Sequence, residues 1–213
     1  MQPVPLILTT PLDDIFRARS HVRVLRVLSQ LPSGFSLSGR AIASRAALAH
    51  RTAQTVLNLL SDHRIVNVRV APRVSYYDLN REHALAEELV GFFNRERGLF
   101  DELVKYLRER LAAAAPAVDA AYLFGSAARG EMSASSDVDL ALVCSQELAS
   151  AVEESAADIA EAARTRFGIW LTPIVGSPSL ESLVRRDRPG HRLWEQIAAE
   201  GVPVLVREDS GVA

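Results

Sequence analysis

Residues 121–131 read Ala121-Tyr122-Leu123-Phe124-Gly125-Ser126-Ala127-Ala128-Arg129-Gly130-Glu131, and a few residues on comes Ser136-Asp137-Val138-Asp139-Leu140. An apolar strand runs into a Gly-Ser turn, and an Asp-x-Asp pair follows, embedded in a second apolar strand. Side chains alternate faces along a strand, so Asp137 and Asp139 are expected on one face, roughly 6–7 Å apart. Two carboxylates on one face of an apolar strand repel each other and lose solvation. A divalent cation offsets both costs, and hard oxygen donors of this kind suit magnesium. Gly125 lets backbone approach a ligand without a Cβ in the way. Ser126 opens a helix whose N-terminal N–H groups favour a phosphate. A metal-binding pair beside an anion-binding turn is what chemistry on a nucleoside triphosphate requires.

These residues resemble the signature of the nucleotidyltransferase superfamily, in particular its small minimal branch, over roughly residues 118–206. The resemblance implies that Gly125, Ser126, Arg129 and Ser136 bind the nucleotide, with Arg129 serving either the first helix or a phosphate. It also implies that Asp137 and Asp139 ligate Mg2+ and form the catalytic pair, with transfer of AMP from ATP to a hydroxyl acceptor, a protein among the candidates. Active members place a third carboxylate on a later strand. Here the candidate strand is Ile169-Trp170-Leu171-Thr172-Pro173-Ile174-Val175, and Thr172 stands at the expected position. A nucleotide sensor without turnover is therefore the alternative reading.

Charge divides the chain. Residues 1–80 hold ten arginines against four aspartates, +6, while residues 81–213 hold fourteen basic and twenty-two acidic groups, −8, which together give the net −2. A basic first third on an acidic remainder suggests two modules, the first facing a polyanion. Helices are expected at 21–30, 39–48 (with Ser38 as N-cap) and 50–62, then a hairpin over 65–79. This order resembles a winged helix-turn-helix of small bacterial transcription regulators, which implies binding of double-stranded DNA. His50, Arg51, Thr52, Gln54, Thr55 and Asn58 lie off the apolar face of the third helix and are the groove-facing candidates, with Arg69 and Arg73 beside the wing tip for phosphates. The alternative is a protein–protein module with a solvated arginine face.

The expected class is α/β (α+β): a winged helix-turn-helix over 1–80, a connecting helix over 81–115 and a small mixed-sheet nucleotidyltransferase-like domain over 116–213. The connecting helix is either a spacer or a dimerisation surface, and a homodimer matches the two-fold symmetry of DNA sites. Pro3, Pro5 and Pro11 suggest an extended N-terminal arm, and the sheet is expected to be covered on one face. No signal peptide or membrane span is read, so a cytoplasmic protein is expected. The single cysteine, Cys144, is expected in the core, and the five histidines show no zinc spacing. His191 and Trp194 are expected in core or surface packing, with the nucleotide pocket as the other possibility.

Overall fold

The computed structural model describes residues 11–115, 117–125 and 137–207. The chain divides into two compact units, Met1–Gly98 and Leu99–Ala213. The division falls inside one long helix, so each unit is described by itself.

The first described element is a short helix, α1 (Pro11–Ile15), where Pro11 was expected in an extended arm. Proline at a first helical position gives up no hydrogen bond, and Asp13 and Asp14 in the first turn complement the helix dipole. Next comes α2 (Arg19–Ser29), which buries Val24, Leu25 and Leu28 along one stripe. A two-residue strand, β1 (Leu37–Ser38), leads into α3 (Gly39–Arg45), capped as expected: the Ala41 N–H donates to Ser38 Oγ at 3.3 Å. The next helix, α4 (His50–Asp62), buries Ala53, Val56, Leu57 and Leu60, the stripe read from its spacing. Strands β2 (Val66–Ala71) and β3 (Val74–Leu79) then form a hairpin whose register runs from Val66 opposite Leu79 to Ala71 opposite Val74. With β1 on the far side of β3 the sheet order is β1-β3-β2. The core of this unit gathers α2, α3 and α4 with Tyr77 and Leu79, and it is completed by Leu89 and Phe93.

Leu89 and Phe93 belong to α5 (Ala86–Ala114), which starts five residues later than the expected helix at 81. Asn80 explains the delay: its Oδ1 accepts from the Glu82 N–H at 3.2 Å, a local turn that competes with helix. Leu103, Leu107 and Leu111 of the same helix are core residues of the second unit.

In the second unit β4 (Val118–Phe124), β5 (Val138–Cys144), β6 (Leu171–Gly176) and β7 (Val202–Val206) form one sheet ordered β6-β5-β4-β7. β5 and β6 are parallel, and the other pairs are antiparallel. A 3-10 turn (Gln146–Leu148) and α6 (Ala149–Phe167) connect the parallel pair, and Gly168 ends α6 in a left-handed conformation at φ +67. One face of the sheet (Val118, Leu123, Val138, Leu140, Leu142) packs on α6 and the second half of α5. Cys144 lies in the same core, and burial pushes its thiol pKa up.

The expectation of one covered face is corrected. The opposite face, through Ala120, Ala141 and Val143, packs against Leu183, Trp194 and Ile197. These come from α7 (Leu180–Leu183), a single turn where a helix to 186 was expected, and from α8 (His191–Glu200). Small residues make the second layer possible, because a Cβ on Gly176 would collide with Trp194 and Leu183. Trp194 is thereby a core residue, and His191 Nδ1 lies 3.1 Å from the Arg188 carbonyl. No helix among the described residues is long and apolar enough to cross a membrane.

Candidate functional site

β4 delivers Gly125 and β5 delivers the aspartates to the same end of the sheet. Phe124 lies opposite Asp139 on one side, and Thr172 of β6 lies opposite it on the other. The order across the sheet is therefore Phe124, Asp139, Thr172. Gly125 turns the chain at φ +69, a left-handed conformation that glycine adopts without strain. A Cβ at Gly125 would lie 2.5 Å from Asp139 Oδ2, so the carboxylate fills the space that a side chain would need.

β5 begins at Val138, so Asp137 stands just before the strand and is exposed, whereas Asp139 is half-buried within it. The Asp139 carboxyl is raised above the usual carboxylate range, first by burial and then by the charge of Asp137. Among the described residues no cation is paired with either aspartate, and no group of three or more His, Cys, Asp or Glu converges on a metal-sized centre. Thr172, exposed beside Asp139, occupies the position where a third carboxylate was sought. Ser126, Arg129 and Ser136 lie outside the described residues.

In the first unit, His50, Arg51, Thr52, Thr55 and Asn58 are exposed on α4, and Gln54 is half-buried. The Gln54 amide donates to Tyr77 Oη at 2.8 Å and to Asn58 Oδ1 at 2.9 Å, so its two N–H groups are already used. Thr55 Oγ1 donates back to the Arg51 carbonyl at 3.1 Å. An open pocket of about 550 Å3 brings His50, Gln54 and Arg73 together with Arg40, Ser75 and Tyr77. Sequence reading missed Arg40 and Tyr77, because only the β1–β3 pairing sets Tyr77 opposite Leu37, next to the start of α3. Arg69 is not part of this pocket; its Nη2 donates to Ser36 Oγ at 3.1 Å.

No curated protein matches the sequence. Two solved structures are similar over 49% of this chain and 74% of theirs: a toxin–antitoxin crystallised with AMP-PNP (18% identity, TM-score 0.38) and a mutant of the toxin–antitoxin MntA–HpeT (15% identity, TM-score 0.37). Residues 106–170 match the family described as Polymerase beta, Nucleotidyltransferase. That segment runs from the second half of α5 through Gly125 and both aspartates to Trp170, so the second unit carries a nucleotidyltransferase-like domain.

Proposed function

We propose that the second unit binds a magnesium–nucleoside triphosphate at Asp137, Asp139 and Gly125 and transfers its nucleotidyl group to a hydroxyl acceptor, with ATP as the donor. The observation that carries this reading is the position of the Asp139 carboxylate, where a Cβ on Gly125 would reach within 2.5 Å of it, and whose pKa is raised by burial and then by the charge of Asp137. Two hard, mutually repelling oxygen donors fit a magnesium ion, which typically keeps water and phosphate oxygens in its remaining positions. Bound there, the metal supplies charge neutralisation and alignment of the attacking and leaving oxygens. Gly125, having no Cβ, lets the Asp139 carboxylate sit against the turn that is proposed to take the phosphates. In the transfer an acceptor oxygen bonds to the α-phosphorus, the bond to the bridging oxygen breaks, pyrophosphate departs and the acceptor's proton passes to solvent.

A second reading, nucleotide sensing without turnover, is favoured by Thr172 beside Asp139. Label transfer separates the two. The full chain is incubated with magnesium and α-labelled ATP, GTP, CTP or UTP, with and without host lysate, beside Asp137→Ala/Asp139→Ala. Label on any acceptor that requires both aspartates supports the transferase. No label, with magnesium–nucleotide binding retained, leaves the sensor.

For the first unit the reading is a winged helix-turn-helix that binds double-stranded DNA, with a homodimer as the assembly. It is supported by the order of three helices and a hairpin, by the exposed polar row on α4 and by the clustering of Arg40, His50 and Arg73 around one pocket. Exposed arginines beside hydrogen-bonding side chains suit phosphate and base-edge contacts.

A further inference from the structure

Trp170 stands immediately before β6, and its carbonyl accepts from the Val138 N–H at 2.8 Å. Since Val138 pairs with Leu171, Trp170 lies beside Asp137 at the site end of the sheet. The distance between them is one strand spacing, about 4.8 Å. The residue is 58% exposed, an unfavourable place for the largest apolar ring unless something covers it. Arg164, from the last turn of α6, lies over the ring with its guanidinium carbon 3.8 Å from the centroid. One face is thus held by a cation–π contact, while the residue as a whole stays more than half exposed. A surface cation–π pair by itself would need no further explanation. Its place just before edge strand β6, next to the carboxylate pair and on the side away from Gly125, does.

We propose that Trp170 is the platform on which the base of the bound nucleotide stacks, with Arg164 fixing the ring from behind. This rests on the reading of Asp137, Asp139 and Gly125 as a nucleotide site. With phosphates at Gly125 on β4 and the base at Trp170 on β6, a nucleotide crosses two strand spacings, about 10 Å, over the aspartates of β5. An extended nucleoside triphosphate spans that distance. Every base has a π-face, so a stacking platform confers affinity with little base preference.

The chain contains two tryptophans, and Trp194 is buried, so red-edge emission reports on Trp170. The full chain is titrated with magnesium and ATP by fluorescence and by calorimetry, beside Trp170→Leu, Trp170→Phe and Asp137→Ala/Asp139→Ala. Ribose 5′-triphosphate serves as the base-free probe. The expected result is quenching of the red-edge emission by ATP, with affinity in Trp170→Leu weaker by roughly 5- to 150-fold. Trp170→Phe recovers most of it, and the base-free probe binds the parent and Trp170→Leu alike. ATP binding that needs both aspartates yet leaves the emission and the Trp170→Leu affinity unchanged overturns the platform while the nucleotide site stands. Absence of ATP binding in the parent, or binding indifferent to the aspartate pair, overturns the nucleotide site and the platform with it.

Discussion

The α-carbon of Gly125 is so close to the Asp139 carboxylate that a Cβ there would sit 2.5 Å from Oδ2. Gly125 follows the end of β4 and Asp139 lies in β5, and each limits what the other position tolerates. Gly125→Ala is expected to displace Asp139 and to cost about 1–2 kcal/mol for a left-handed alanine. Magnesium–nucleotide affinity should drop at least tenfold by calorimetry. Undiminished affinity in that variant would argue that Asp139 is not a ligand.

Asp139→Asn removes a charge that burial and Asp137 both disfavour. Without metal or nucleotide the variant should be at least as stable as the parent, with a gain of up to about 1 kcal/mol in urea titrations. The stabilisation that magnesium and ATP add to the parent should disappear in the variant. A less stable variant that still gains stability from magnesium–ATP would contradict both halves of the argument.

His21 gives the first unit a pH dependence. It is buried on α2 with neither ring nitrogen hydrogen-bonded. Burial lowers its pKa, Arg17 lowers it further and Asp14 opposes them. The unfolded chain takes up a proton near pH 6.5, whereas the folded one resists it. Stability from the neutral ring is therefore fully present above pH 6.5 and is lost as pH falls toward the lowered folded value. His21→Leu should shrink the drop in urea midpoint between pH 7 and pH 5.5, and should add about 1 kcal/mol at pH 5.5. Identical pH profiles for parent and variant would remove His21 from the explanation.

DNA binding by the first unit is expected to depend on Arg40 as well as on Arg51 and Arg73. Arg51→Ala/Arg73→Ala should weaken binding to duplex DNA, and Arg40→Ala should add to the loss. Each phosphate contact removed should lower the slope of log affinity against log salt by about 0.9. An affinity indifferent to salt counts against a DNA partner.

Local pattern carried most of the architecture. The apolar spacing of α4 and the Ser38 cap are written in neighbouring residues, and so is the glycine stop after α6. The strand that ends before Gly125 and the strand that carries Asp139 were legible for the same reason, and Thr172 could be placed on β6 because that strand is short and lacks acids. What escaped depends on contacts between distant residues. Ala120 and Ala141 look like weak strand positions until Trp194 packs on them, so the second covered face was missed. Tyr77 comes to the α4 pocket through pairing of β3 with β1, and Arg40 through the helix that follows β1. At Pro11 a residue read as extended in fact starts a helix, since proline is equally suited to a first helical position.

The long helix α5 has a consequence for how the chain can be divided. Leu89 and Phe93 complete one core, and Leu103, Leu107 and Leu111 belong to another. Neither unit owns the whole helix, so a cut at either end of it strips one unit of core residues. Fragments meant to fold alone, or chimaeras that exchange one unit, have their natural junction in mid-helix, around Gly98.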